Sequence, residues 1–159
     1  MDKHQLIAFL KSQMQADLEL AIESARITLD AATNEESKPE NKYDTRGLEA
    51  SYLAGAQAKR VGEIEEVLYL FKQTQIRDFK PDEAISVMAL VEVSLDDKIS
   101  FVLIMPKGGG QVIQFDGKAV QVITTYSPLG RALIGLRSGD SAQIESGKGT
   151  RVYEVISVR

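Results

Sequence analysis

The spacing of apolar residues changes once along this chain, near Asp78-Phe79-Lys80-Pro81-Asp82. That switch calls for two structural units of different class, because a three-to-four residue period and a two-residue period bury different shapes. Before it, Ile7, Leu10, Met14, Leu18, Ile22, Ala25 and Leu29 form one apolar stripe, and Leu53, Val61, Ile64, Leu68 and Phe71 form a second. Both stripes are narrow and flanked by charged residues, the pattern of an antiparallel helical hairpin that packs as a coiled coil. The spacing therefore predicts a hairpin over residues 1–77. With helices of about 28 residues it would reach roughly 40 Å at 1.5 Å per residue.

The stripes are separated by Ala32-Thr33-Asn34-Glu35-Glu36-Ser37-Lys38-Pro39-Glu40-Asn41. Pro39 suits the first position of the second helix, where its missing N–H costs nothing, with Ser37 or Lys38 in the cap region. Glu40 then falls in the first turn, where the helix dipole favours negative charge. Glu40 and Asp44 are four residues apart and share a face. With Glu36 they make an acidic tip near residues 33–46. The ordinary role of such acids is favourable charge at a helix start.

Residues 78–159 read as a twisted antiparallel sheet with one short helix, so the fold class is α+β. Strand candidates by β-branched content are Ile85–Val93, Ile99–Met105, Gln111–Phe115, Ala119–Thr124, Ala142–Ile144 and Arg151–Val158. Asp116-Gly117 between two such runs signals a tight hairpin. Ser127 to Leu136 predicts the short helix, with Ser127 as cap, Pro128 in the first turn, and Leu129, Leu133 and Leu136 as its apolar face. Gly130 and Gly135 within that stretch each cost roughly 1 kcal/mol relative to alanine, which implies a packing or contact reason.

Composition excludes several function classes. The chain has 159 residues, enough for one large domain or two small ones. It has no cysteine, which removes disulfides and thiolate metal sites. Its single histidine, His4, lies near the N-terminus and rules out a multi-histidine metal site or a Ser-His-Asp hydrolase. Gly108-Gly109-Gly110 is a loop and not a phosphate cradle, because no helix opening with Lys-Ser or Lys-Thr follows. The net charge is −4, without a dense Lys/Arg cluster, so nucleic acid would be reached through a partner and not bound directly. No run approaches a signal-peptide core or a membrane span, and a cytoplasmic location is expected.

One segment is specific enough to carry a resemblance. Thr124-Thr125-Tyr126-Ser127-Pro128-Leu129-Gly130-Arg131-Ala132-Leu133, followed by Ile134-Gly135-Leu136-Arg137-Ser138-Gly139-Asp140, resembles the C-terminal signature of the bacterial Gre transcription elongation factors. Tyr153 to Val158 resembles the family's last strand, and Glu40-Asn41 matches the acidic motif that opens its second hairpin helix. The resemblance implies an FKBP-like C-terminal domain that docks on bacterial RNA polymerase, here through Ser127, Pro128, Leu129, Gly130 and Arg131. It implies a hairpin inserted into the secondary channel, with Glu40, Asp44 and Glu36 acting inside the polymerase active site. There they would help hold a magnesium ion shared with the polymerase, which cleaves backtracked RNA. The protein itself would be no enzyme and would hold no metal when free. Carboxylates are hard ligands suited to Mg²⁺, and two metals stabilise both oxygens of a phosphodiester displacement. Ser37 stands where the family carries an aspartate. A channel-occupying regulator without cleavage activity is therefore the alternative. A peptidyl-prolyl isomerase is a remote reading suggested by the fold alone, with few aromatics beyond Pro81 to line such a site: Phe101, Phe115, Tyr126 and Tyr153. A hairpin that self-associates through Ala54-Gly55-Ala56-Gln57-Ala58 is a further one.

Overall fold

The computed structural model describes residues 1–33, 45–80, 82–147 and 149–159. It contains two compact units, Lys11–Lys72 and a second formed by Met1–Leu10 with Gln73–Arg159.

The first unit is a pair of antiparallel helices. Helix α1 spans Lys3–Thr33 and α2 spans Arg46–Gln73. Asp2 caps α1, its carboxylate accepting from the Gln5 N–H at 3.1 Å. Thr45 precedes α2 and supplies the carbonyl for Glu49 N at 2.9 Å. The expected cap at Ser37 or Lys38 and the expected helix start at Pro39 lie outside the described residues. The Lys11 ammonium sits 5.4 Å from the centre of the Phe71 ring at one end of the pair. At the other end Ala32 and Thr33 share a groove with Ser51.

The buried stripe differs from the sequence expectation in phase. On α1 the less exposed positions are Met14, Leu18, Ala21, Ala25, Thr28 and Ala32, and Ile22 and Leu29 face solvent. On α2 they are Gly47, Ala50, Ala54, Gln57, Val61, Ile64, Leu68 and Phe71, flanked by buried Val67 and half-buried Leu70, and Leu53 faces solvent. These sets alternate steps of three and four, the 3.5-residue repeat of a coiled-coil seam. A run of four-residue steps drifts off that seam, which is why Ile22 and Leu29 were misplaced. The seam is large and apolar near Phe71 and built from alanine, glycine and threonine toward the other end.

The second unit is a six-stranded sheet with strand order β3-β4-β2-β1-β6-β5. The strands are β1 Leu90–Leu95, β2 Lys98–Met105, β3 Gln111–Phe115, β4 Lys118–Thr124, β5 Ser141–Ser146 and β6 Gly149–Val158. The Asp116-Gly117 hairpin forms as expected, with φ of 53° and 69°. Asp96-Asp97 makes an equivalent turn between β1 and β2, with φ of 49° and 60°. Four of the five strand pairings are antiparallel, but β2 and β4 run parallel, from Phe101↔Val120 to Met105↔Thr124. The expected strand from Ile85 starts instead at Leu90. Met88 takes a left-handed φ of 68°, and Ile85 pairs elsewhere, donating to Leu136 O at 2.7 Å.

Because β4 and β5 lie on opposite sides of the sheet, the chain between them must cross one face. It does so through helix α3, Pro128–Leu133. Leu129 and Leu133 join Val91, Val93, Val102, Ile104 and Ile123 in one core cluster beneath it. Full burial of a leucine stabilises the fold by roughly 1.5–3 kcal/mol.

The opening turns of α1 complete this unit. Leu6, Ile7 and Leu10 are buried, and the Phe9 ring lies 5.4 Å from that of Phe115. Lys3, only 3% exposed, donates to the Arg77 carbonyl and places its ammonium 4.7 Å from the centre of the Phe79 ring. Burial pushes its pKa below the usual lysine value. Arg77 lies 4.3 Å from the same ring and pairs with Glu83.

Candidate functional site

The run Thr124–Asp140 is held from end to end. Ser127 caps α3 in both directions, its hydroxyl accepting from Gly130 N at 3.0 Å and donating to Thr124 O at 2.8 Å. Pro128 occupies the first turn, where a fixed φ and a missing N–H both suit a helix start. Leu129 and Leu133 point into the core. Gly130 is required by its surroundings, since a Cβ there would meet Thr124 O at 2.0 Å and Ser127 Oγ at 2.9 Å. The helix is shorter than the sequence suggested. Gly135 lies beyond its end, with a φ of 87° open to glycine at little cost.

The rest of the run is anchored in the same way. Gly135 N donates to Ile85 O at 2.9 Å and Gly139 N to Val155 O at 2.8 Å. Arg137 N donates to the Asp140 carboxylate at 2.7 Å, and the Arg137 guanidinium reaches Asp82 O. The Ser138 hydroxyl donates to Ile156 O at 2.7 Å. Ser127, Leu129, Gly130, Gly135, Gly139 and Asp140 thus serve the architecture of the segment.

Between Thr124 and Ile134 this architecture displays a smaller set. Pro128 and Arg131 are exposed, Tyr126 is 79% exposed and Ile134 is 39% exposed. Of the five residues expected to dock a partner, Pro128 and Arg131 are on the surface, whereas Leu129 and Gly130 are buried and Ser127 is half-buried. Tyr126 and Ile134 lie in the same run but were not singled out by sequence. Periodicity marks buried positions and is silent on an exposed aromatic. An exposed tyrosine, proline and arginine on a fixed backbone suit a protein contact, since aromatics and arginine dominate interface energetics.

The acids expected at the hairpin tip, Glu36, Glu40 and Asp44, lie outside the described residues, as does Ser37. Among the described residues no group of three acidic or histidine side chains is arranged to hold a metal. No helix among them is long and apolar enough to cross a membrane. The aromatics weighed for an isomerase site are dispersed. Phe101 lies under the Lys118 ammonium at 4.8 Å, Phe115 meets Phe9, Tyr153 packs on the core and Tyr126 faces solvent.

The chain thus joins an antiparallel helix pair to a mixed sheet crossed by one short, braced helix. Residues 114–159 match the family described as transcription elongation factor, GreA/GreB, C-terminal. The chain is 51% identical to transcription elongation factor GreA of Methylococcus capsulatus over 37 residues, 23% of each chain. It is 27% identical to GreA of Thermomicrobium roseum over 140 residues, covering 86% of this chain and 81% of that one. It is also 27% identical to transcription inhibitor protein Gfh1 of Thermus thermophilus over 154 residues, covering 94% and 90%. The C-terminal part of the chain thus matches the Gre factors, and most of its length is similar to both GreA and Gfh1.

Proposed function

We propose that this protein binds bacterial RNA polymerase and regulates transcription elongation from the polymerase's secondary channel. The sheet unit docks through the exposed side of the Tyr126–Arg131 segment, and the helical pair enters the channel to act at the active site. The observation that carries this reading is the division of labour in α3. Ser127, Leu129 and Gly130 fix the backbone, while Pro128 and Arg131 are left facing outward on it. Relatives matching most of the chain are named as an elongation factor and as a transcription inhibitor, which supports action on transcription.

In the leading form of the proposal the protein stimulates cleavage of backtracked RNA. Glu40, with Asp44 and Glu36, contributes carboxylate oxygens toward a magnesium ion shared with the polymerase, a hard-ligand set suited to that ion. The polymerase performs the hydrolysis, and the protein supplies charge and position. A second reading, inhibition by channel occupancy, is favoured by one specific residue. Ser37 stands in place of the family's aspartate, and a hydroxyl is a weaker magnesium ligand than a carboxylate.

The test uses a backtracked elongation complex with end-labelled RNA in magnesium buffer. RNA shortening that disappears with Glu40→Ala supports the cleavage form. Slowed nucleotide addition without shortening, from protein that co-migrates with polymerase, supports the inhibitor. Absence of co-migration overturns both.

A further inference from the structure

Strand β4 lies between β2 and β3 in the sheet, so the chain that joins β2 to β3 must pass over the end of β4. It has little slack. Met105 ends β2 beside Thr124, and Gln111 begins β3 opposite Val122. Residues 106–110 alone remain to cross two strand spacings, about 10 Å. With both feet in register with β4, this arch lies directly on the β4 backbone. Its second foot is pinned there, Gly110 N donating to Val122 O at 2.8 Å.

Three glycines fill the arch for two reasons. Gly108 and Gly110 take φ of 77° and 101°, a region open to glycine at little cost. Gly109 lacks room for a side chain. A Cβ there would meet Ile123 C and Thr124 N at 2.8 Å and Ile123 Cα at 3.0 Å. Gly130 approaches the same place from α3, where a Cβ would meet Thr124 O at 2.0 Å. Gly110, Gly117, Gly135, Gly139 and Gly149 have open space by the same measure. The two close approaches thus converge on the last two residues of β4, at the root of the exposed segment.

We propose, resting on the polymerase reading, that the arch is a positioning element for the polymerase contact. Gly109 sets the course on which the chain leaves β4, and with it the placement of Tyr126, Pro128 and Arg131. It acts through Thr124 and touches no partner itself. Thr124 O accepts from Ser127 N at 3.1 Å and from the Ser127 hydroxyl at 2.8 Å. That hydroxyl accepts in turn from Gly130 N at 3.0 Å. A shift of the Thr124 backbone therefore passes along hydrogen bonds into α3. A side chain at position 109 must displace either the arch or that backbone, and the Gly110–Val122 bond opposes the first.

The experiment compares wild type with Gly109→Ala and Gly117→Ala. Gly117 has a φ of 69° and open space, so alanine there strains the turn at the opposite end of β4 and leaves Ile123 and Thr124 untouched. Both variants should lose Tm. Polymerase affinity is titrated by co-migration well below either Tm. Amide hydrogen exchange is followed at Gly130, Arg131 and Ile134, whose N–H groups bond within the segment. Gly109→Ala should bind about tenfold more weakly, since closely packed contacts feel small displacements, and should exchange faster at these amides. Gly117→Ala should match wild type in both. Wild-type affinity in Gly109→Ala overturns the inference and leaves the polymerase reading standing. Equal loss of affinity in both variants overturns it too, as an effect of stability alone. Weaker binding with unchanged exchange also overturns it, assigning Gly109 to the contact itself. Wild-type protein that does not co-migrate with polymerase sinks the polymerase reading and this inference together. If Gly109→Ala does not fold, one glycine inserted after Gly109 loosens the same contact without adding a side chain; faster exchange and weaker binding are expected, and wild-type affinity overturns the inference.

Discussion

Gly130→Ala gives the sharpest contrast between local propensity and tertiary packing. Within a helix, alanine is favoured over glycine by about 1 kcal/mol, so propensity alone predicts a more stable protein. The structure predicts the reverse. The new Cβ would stand 2.0 Å from Thr124 O, far inside the roughly 3.3 Å at which carbon and oxygen normally meet. That carbonyl cannot swing away freely. It accepts from Ser127 N at 3.1 Å and from the Ser127 hydroxyl at 2.8 Å, at the end of β4. Relief requires α3 to lift from the sheet by more than an ångström, disturbing Leu129 and Leu133. Overpacking against backbone costs about 3 kcal/mol, and the propensity gain returns at most about 1, leaving a net loss of about 2 kcal/mol. For a unit of this size that corresponds to a fall in Tm of roughly 8–16 °C. Thermal unfolding followed by circular dichroism reads it. Gly55→Ala, at a helical glycine with open space, serves as the opposite control and should gain about 1 kcal/mol. An unchanged or raised Tm for Gly130→Ala would refute the packing argument.

Three further outcomes are expected. Ser127→Ala removes the cap of α3 and should cost about 1 kcal/mol in urea unfolding; wild-type stability would show that the cap is dispensable. Arg131→Glu reverses an exposed charge and should weaken polymerase binding by roughly tenfold or more with no change in Tm, read by co-migration titration; equal binding would remove Arg131 from the contact. Glu83 is held below the usual carboxylate range by the Arg77 side-chain hydrogen bond and then by the Lys80 N–H. A depressed folded pKa means that this contribution is present above the unfolded value and is lost as pH falls through the folded one. The stability of Glu83→Gln should accordingly decline less than that of the wild type on acidification below the ordinary carboxylate range, and parallel pH curves would contradict this.

Sequence alone determined what depends on neighbouring residues. The two helices, the Asp116-Gly117 turn, the Ser127-Pro128 cap and the change of periodicity near Asp78 are set by backbone preferences and side-chain spacing that act within a few residues. These preferences also made the Thr124–Asp140 run recognisable. Tertiary structure decided what depends on distant partners. The parallel pairing of β2 with β4 brings together strands with β3 between them in the chain, and nothing local encodes that direction. The phase of the helical stripes was fixed by the partner helix, which put Ala21 and Thr28 inside and Ile22 and Leu29 outside. Met1–Leu10 joined the sheet unit because Leu6, Ile7 and Leu10 are buried there, although the helix they begin continues into the other unit. Gly130 was legible as an oddity within a helix. Only the position of Thr124 O, brought above it by the end of β4, gives the reason that position must lack a side chain.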